Sequence, residues 1–263
     1  MMKKSIPLIL ALLAMMIAFS GCNKAEADEA TAEPVTITLA AAASLKNTID
    51  GEIIPAFQKE NPGITVQATY DASGKLQTQI ESGAAVDVFM SAATTQMDAL
   101  NAKGLLLENS VLNLLENKLV LIVPKNSTKG ITAFTDILKA DKIAIGDPAS
   151  VPAGKYAQEA LAYLKIWDQA KAKASLGTNV TEVLNWVAEG SADTGIVYST
   201  DALANAKVKI VAEAPAGSVS KVIYPVGIIK ASANQEAAKK FVKYLQTDAA
   251  IKVFVNAGFT AVK

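Results

Sequence analysis

The sequence predicts an α/β protein with two lobes, built from mostly parallel sheets flanked by helices. Strand-like and helix-like segments alternate from Val35 onward, which is the pattern of α/β layers. Roughly 230 residues follow the N-terminal apolar and polar stretches, and a chain of that length exceeds the usual single hydrophobic core. In sheets of this class, ligands bind at the carboxyl ends of the strands.

The chain begins with a segment typical of an export signal. Two lysines precede an apolar run over 6–19, and Ser20-Gly21-Cys22 closes that run, which resembles a bacterial lipoprotein signal. We therefore expect residues 1–22 to be a signal peptide that is cleaved before a lipidated Cys22. An uncleaved membrane helix is the alternative, but the small residues that end the run argue against it.

Lipid on Cys22 would hold the mature protein at the extracytoplasmic face of the cell membrane. Cys22 is the single cysteine of the chain, so it has no partner for an internal disulfide. Residues 23–34 are polar, rich in alanine and glutamate, and lack apolar periodicity. We expect them to form a disordered tether between the anchor and the folded part.

The first half of the folded part contains three predicted strands and three predicted helices. Alternating or continuous apolar residues predict the strands, and helical periodicity ended by Asn61-Pro62-Gly63 or Gly104 predicts the helices. The predicted strands are 35–39, 64–70 and 86–90, and the predicted helices are 45–60, 76–82 and 95–103.

The second half continues the alternation with five predicted strands and four predicted helices. Apolar runs again predict the strands, the first of which Pro124 ends. The predicted strands are 118–123, 142–145, 195–198, 208–211 and 222–229, and the predicted helices are 154–164, 180–189, 235–245 and 249–256.

Two strand-to-helix junctions stand out as candidate anion sites. The Pro- and Gly-rich turn Gly146–Tyr156 follows one predicted strand, and Ala40–Leu45 follows another, with Ser44 expected to cap the helix. Free backbone N–H groups at a helix N-terminus bind anions without any charged side chain. Most junctions of this kind bind nothing, so either one alone is a weak signal.

The composition excludes several classes of function. The chain has no histidine, and all 25 basic residues are lysines balanced by 25 acids. A catalytic triad or Cys–His pair lacks its base, and the bidentate arginine used for phosphates is missing. The near-neutral balance and few aromatics argue against nucleic-acid binding. We therefore expect a protein that is not an enzyme and needs no cofactor.

The residues around Ser73 fit neither a serine enzyme nor a phosphate loop. Ser73-Gly74-Lys75 lacks the Ser-x-x-Lys spacing of serine enzymes that use a lysine base. Leu76 follows Gly74-Lys75, and Thr69 stands where a phosphate loop needs glycine. The sequence therefore contains neither motif. An adhesin or scaffold with no ligand stays open as another class of function.

Short stretches in register across the folded part resemble the molybdate-binding proteins of bacterial ABC importers. They are Ala41–Leu45, Ala72–Leu76, Gln79–Phe89, Gly146–Pro148 with Val151–Gly154, Gly195–Tyr198, Tyr224–Val226 and Gly258–Thr260. No single stretch is diagnostic, but the series spans most of the chain. One departure is Gly74-Lys75, where many members carry another small hydroxyl residue.

The resemblance implies a type II-like, two-lobed periplasmic binding protein with its ligand in the cleft between the lobes. The first lobe is expected to be discontinuous, over 35–119 and 226–263, and the second to cover 120–225. The resemblance also implies a monomer that delivers its ligand to a permease and its ATPase. Carried over by position, the residues that contact molybdate are Ser44, Ser73, Ala153, Val180 and Tyr198.

The chemistry of molybdate agrees with that set of residues. Molybdate is a dianion without a proton, so every partner must donate, as hydroxyl and backbone N–H groups at helix N-termini do. Lys75 and Lys155 flank the set, and we expect both to face solvent. Tungstate is a near-isostere and is expected to bind as well. Sulfate and phosphate stay open as alternatives, weakened by the smaller radius of sulfate and by the proton on phosphate.

Overall fold

The computed structural model describes residues 34–262. The expected signal peptide, Cys22 and the tether apart from Pro34 lie outside this range. Within it, no helix is long and apolar enough to cross a membrane.

Residues 34–262 contain eleven strands. Their order along the chain alternates with helices, as the sequence predicts, and most bounds lie within two residues of the expected ones. The strands are β1 (Val35–Ala42), β2 (Ile64–Asp71), β3 (Val88–Met90), β4 (Leu112–Asn117), β5 (Leu119–Pro124), β6 (Ile143–Gly146), β7 (Ala174–Gly177), β8 (Thr194–Tyr198), β9 (Val208–Glu213), β10 (Val222–Ile228) and β11 (Thr260–Ala261).

The same described range contains ten α-helices. The helices are α1 (Lys46–Thr48), α2 (Ile54–Glu60), α3 (Ser73–Glu81), α4 (Thr94–Ala102), α5 (Pro152–Tyr163), α6 (Trp167–Lys171), α7 (Val180–Ala188), α8 (Ser199–Leu203), α9 (Gln235–Leu245) and α10 (Asp248–Asn256). A π-helical segment, Ile49–Ile53, joins α1 to α2, and 3₁₀ turns cover Ala43–Leu45 and Phe134–Lys139.

The strands form two separate sheets. The first has six strands in the order β11-β4-β10-β3-β1-β2, and the second has five in the order β7-β6-β8-β5-β9. Both are mixed, which corrects the expectation of mostly parallel sheets: β1 pairs in parallel with β2 and β3, β6 pairs in parallel with β7 and β8, and the other pairings are antiparallel. The antiparallel pairings involve the strands next to the two passages of the chain between sheets.

The chain passes between the sheets twice. It leaves the six-stranded sheet after Asn117, enters the five-stranded sheet at Leu119, and returns between Glu213 and Val222. Strand β4 was not predicted because its pattern merges with the apolar run of β5, with only Lys118 between them. The passages matter for function because residues of both sheets contribute to the site described next.

Apolar burial fixes the helices on the sheets. In α9, Ala238, Phe241 and Leu245 are fully buried, and their spacing of three and four residues forms one helical face. Phe241 packs edge-on against Phe57 of α2, with ring centroids 5.0 Å apart. Fully burying a side chain of this size contributes about 1.5–3 kcal/mol, so this face holds α9 against the core.

Candidate oxyanion-binding site

Strand register places the predicted site residues at matching sheet edges. In the six-stranded sheet Ala42 pairs with Asp71, so the turns that follow β1 and β2 begin side by side. In the five-stranded sheet Gly146 pairs with Gly177, so the turns that follow β6 and β7 do the same. Each edge therefore presents two strand-to-helix junctions at the carboxyl ends of parallel strands.

All five predicted residues line one small cavity between these edges. The cavity has a volume of about 10 Å³, far below the roughly 300–1,000 Å³ of pockets for drug-sized ligands. It therefore suits a ligand of a few heavy atoms. Its lining consists of Ala42, Ala43, Ser44, Asp71, Ala72, Ser73, Ala92, Val151, Pro152, Ala153, Val180 and Tyr198.

The two serines of the six-stranded sheet are held differently from each other. Ser73 is fully buried at the first position of α3, and its Oγ accepts a hydrogen bond of 3.0 Å from the N–H of Ala92. Ser44 lies inside the 3₁₀ turn after β1, so the expectation that it caps a helix is wrong. Its Oγ instead lies 2.9 Å from the hydroxyl of Tyr224, because the turn directs the side chain into the interior.

The five-stranded sheet contributes two helix N-termini. Ala153 is the second residue of α5 and Val180 the first of α7, where backbone N–H groups have no partner inside the helix. The helix α7 is capped by Asn179, whose side chain accepts from the N–H of Glu182 at 3.0 Å. Aligned peptide dipoles give each such end roughly half a positive charge, which favours an anion.

A glycine permits the close approach of α5 to its strand. A Cβ on Gly154 would lie 2.0 Å from the carbonyl oxygen of Gly146, so no other residue fits without movement of the backbone. The first turn of α5 consequently lies directly against the end of β6. This packing is the structural reason for the glycines at both ends of the Gly146–Gly154 turn.

Tyr198 supplies the one hydroxyl of the five-stranded sheet that lines the cavity. It ends β8, is 1% exposed, and its hydroxyl has no hydrogen-bond partner among the residues that the structure describes. Burial raises the pKa of Tyr198 well above its ordinary value, so the phenol keeps its proton and remains a donor. A buried polar atom without a partner costs roughly 1–3 kcal/mol, and a bound ligand that accepts a hydrogen bond would remove that cost.

The electrostatic character of the cavity comes from backbone dipoles. Among the residues that the structure describes, no lysine lines it, and its one charged residue is Asp71. The Asp71 carboxylate accepts from the N–H of Ala72 at 2.7 Å and lies 3.4 Å from Nζ of Lys75. Lys155 is exposed, and Lys75 is only half-buried. Within 34–262, no cluster of three acidic or cysteine side chains offers a metal site.

Sequence reasoning missed two contacts at the site, one between the halves and one within the six-stranded half. The N–H of Gly74 donates to the carbonyl oxygen of Ser150 at 3.0 Å, linking α3 to the turn before α5. Tyr224 contacts Ser44 from β10, far along the chain. The unusual Gly74-Lys75 pair was a signal for the first contact, whereas no local pattern indicated the second.

Comparisons with known proteins agree with this geometry. The family model for bacterial extracellular solute-binding proteins matches residues 37–260. The putative ABC transporter substrate-binding lipoprotein YvgL of Bacillus subtilis is 40% identical over 99% of this chain and 100% of its own length. The molybdate-binding protein ModA of Haemophilus influenzae is 38% identical over 99% of this chain and 100% of its own length.

A solved structure of a transporter's substrate-binding domain is also similar to this chain. The substrate-binding domain of a putative molybdenum ABC transporter from Clostridium difficile is 39% identical, with a TM-score of 0.67 over 87% of this chain and 100% of that one. Two mixed sheets flanked by helices are the periplasmic binding protein fold. The chain therefore belongs to the family of bacterial extracellular solute-binding proteins and is a substrate-binding protein of an ABC transporter.

Proposed function

We propose that this protein captures molybdate, and tungstate as its near-isostere, and delivers it to an ABC importer. Ser44, Ser73 and Tyr198 would donate hydroxyl hydrogen bonds to the oxyanion, while Ala153 and Val180 would donate backbone N–H bonds. The oxyanion is the transported ligand and contacts only donors, so no residue coordinates molybdenum directly.

The single observation that carries the proposal is the unpartnered hydroxyl of Tyr198. It is buried at the wall of a cavity too small for a sugar or nucleotide. Over residues 34–262, that wall contains helix N-termini and no lysine. A tetrahedral anion without protons would satisfy the Tyr198 donor and the free N–H groups together. A protonated anion would leave at least one of those donors facing an O–H.

The two sheets are proposed to act as two lobes that close on the ligand. The sequence expectation is 35–119 with 226–263 for the first lobe and 120–225 for the second. We propose boundaries at the strand ends instead, 34–117 with 222–262 and 119–213, because β10 belongs to the six-stranded sheet. Because each lobe contributes part of the cavity wall, binding would favour the closed arrangement. We further propose that the protein acts as a monomer held to the cell membrane by lipid on Cys22, and that its partners are a permease and its ATPase.

Titration calorimetry with molybdate, tungstate, sulfate and phosphate tests the proposal. We expect molybdate and tungstate to bind with similar affinity, because both place four unprotonated oxygens at hydrogen-bonding distance, about 2.9 Å. Sulfate and phosphate should bind more weakly by at least about a hundredfold, because each unsatisfied buried donor costs roughly 1–3 kcal/mol. Sulfate or phosphate binding as tightly as molybdate would make one of them the ligand, and no binding of any anion would refute the proposal.

Two substitutions test the residues. Tyr198→Phe and Ser44→Ala should each weaken molybdate binding about 10- to 150-fold, because a hydrogen bond to a charged group contributes roughly 1.5–3 kcal/mol. Tyr244→Phe is the matched control, since Tyr244 is also buried but packs against Phe57 in the six-stranded half. Unchanged affinity in both site variants would remove these hydroxyls from the site.

A further inference from the structure

A buried chain of hydrogen-bonded side chains leads from the passage between the sheets to Ser44. The hydroxyl of Tyr224 lies 2.9 Å from Oγ of Ser44 and 3.3 Å from Nδ2 of Asn117. The same Nδ2 donates to Oγ1 of Thr200 at 2.9 Å, and Oδ1 of Asn117 accepts from Oγ of Ser199 at 3.1 Å. Each of these side chains is less than 9% exposed.

These residues come from both halves of the fold. Asn117 is the last residue of β4, and its Oδ1 also accepts from the N–H of Lys118 at 2.8 Å, at the point where the chain leaves the six-stranded sheet. Tyr224 lies in β10, and Ser199 and Thr200 begin α8. The Asn117 amide therefore links the two halves beside the passage and, through Tyr224, contacts a residue of the cavity wall.

We propose that Tyr224 and Asn117 are positioning residues that orient the Ser44 hydroxyl as a donor toward the bound oxyanion. This inference rests on the proposed function. A hydroxyl has one proton to donate, and an unprotonated oxyanion only accepts, so Ser44 must give its proton to the anion. Its contact with Tyr224 then requires Tyr224 to donate.

The direction of donation follows from the chemistry of each group. The Asn117 amide nitrogen only donates, so the Tyr224 oxygen accepts from it and keeps its own proton for Ser44. Burial raises the pKa of Tyr224 well above its ordinary value, so the proton is present throughout the physiological range. Chains of hydrogen bonds polarise one another, so this order strengthens the donor that Ser44 presents.

The arrangement also disfavours a protonated anion. To accept an O–H from hydrogen phosphate, Ser44 would have to turn its own proton away while still accepting from Tyr224. That proton would then lose the charged acceptor that an unprotonated anion oxygen offers, which carries a penalty. Tyr224 thus contributes to selectivity without touching the ligand.

The test is a double-mutant cycle on the full mature protein, with molybdate as the probe. Tyr224→Phe keeps the edge-on ring contacts to Tyr198 at 5.7 Å and Phe259 at 5.3 Å, so we expect it to fold. It should weaken molybdate binding about tenfold in the wild-type background, the effect of one lost hydrogen bond. In a Ser44→Ala background it should change affinity less than about twofold, because the group it orients is gone.

A merely structural role would give other results. The losses of molybdate affinity in Tyr224→Phe and in Ser44→Ala would then be additive, and Tyr224→Phe would lower molybdate and phosphate binding equally. The proposal instead expects the ratio of molybdate affinity to phosphate affinity to fall in Tyr224→Phe. Tyr244→Phe serves as control, and Asn117→Leu, which removes the donor behind Tyr224, repeats the cycle if Tyr224→Phe does not fold. Additive losses with normal wild-type binding would overturn the positioning role alone, and a wild type that binds no molybdate would overturn both proposals.

Discussion

The substitution Gly74→Ala should impair closure of the proposed cleft without destabilising the folded protein. Gly74 is the second residue of α3, and a Cβ there would lie 2.6 Å from the carbonyl oxygen and 3.0 Å from Cα of Ser150. To restore an ordinary contact of 3.4 Å, the turn before α5 must withdraw by about 0.8 Å. That movement lengthens the 3.0 Å hydrogen bond between the Gly74 N–H and Ser150 beyond a useful distance.

The expected effects on binding and on folding have opposite signs. Loss of one hydrogen bond and imperfect closure should weaken molybdate binding about tenfold, or about 1.4 kcal/mol. The ligand-free protein should be as stable as the wild type or more stable, because alanine is favoured over glycine inside helices by up to about 1 kcal/mol. Calorimetric titration measures the first effect, and thermal melting without ligand measures the second.

Gly51→Ala is the matched control, because Gly51 also lies in a helical segment and a Cβ there has no neighbour within 4 Å. We expect it to leave affinity unchanged. Small-angle scattering at saturating molybdate should show compaction of the wild type and a smaller change for Gly74→Ala. Wild-type affinity and full compaction in Gly74→Ala would refute the closure argument, as would destabilisation of the ligand-free variant.

Three further predictions follow from charge and from the leader. Burial raises the pKa of Asp201 to about 7 from 3.8, so between these values the folded protein binds a proton that the unfolded chain has lost. The free energy of unfolding should therefore fall as the pH rises from 4 to 7, by up to about 1.4 kcal/mol per pH unit. In urea unfolding, Asp201→Asn should show a flatter dependence of this free energy on pH. Lys155→Ala should leave molybdate affinity unchanged in calorimetry, and Lys75→Ala should weaken it a few-fold at most, since its pair with Asp71 is partly exposed. Cys22→Ala should appear in the soluble fraction or as an uncleaved precursor on immunoblots; an acyl-free mature N-terminus downstream of Cys22 in the wild type would contradict the anchor.

The sequence predicted the parts of the site that depend on local chain order. Alternating segments located β1, β2, β6 and β8, and parallel pairing alone is enough to bring Ser44 beside Ser73. The five residues line one cavity, while their contact with a ligand stays a prediction. The predicted helix starts were less accurate. Helix α3 begins at Ser73 and α5 at Pro152, two or three residues before the apolar periodicity begins in the sequence.

Long-range contacts escaped the sequence for a physical reason. Tyr224 is 180 residues from Ser44. Its apolar strand gives no sign that Ser44 would contact its hydroxyl instead of capping a helix. The contact of Gly74 with Ser150 likewise depends on how closely two sheets approach. Such contacts are set by the packing of whole elements, which no window of a few residues records.

The absence of lysine from the described cavity wall explains how the site can select by size. A lysine would attract sulfate and molybdate alike, since it is a hydrated point charge on a flexible stem. Fixed donors behave differently, because each one left unsatisfied by a smaller anion costs roughly 1–3 kcal/mol. The half-buried Asp71 adds negative charge at the cavity, and its pairing with Lys75 at 3.4 Å offsets that charge. In the proposed function, discrimination would therefore depend on donors that cannot move toward a smaller ligand, and the close packing of α5 on β6 through Gly154 would hold such donors in place.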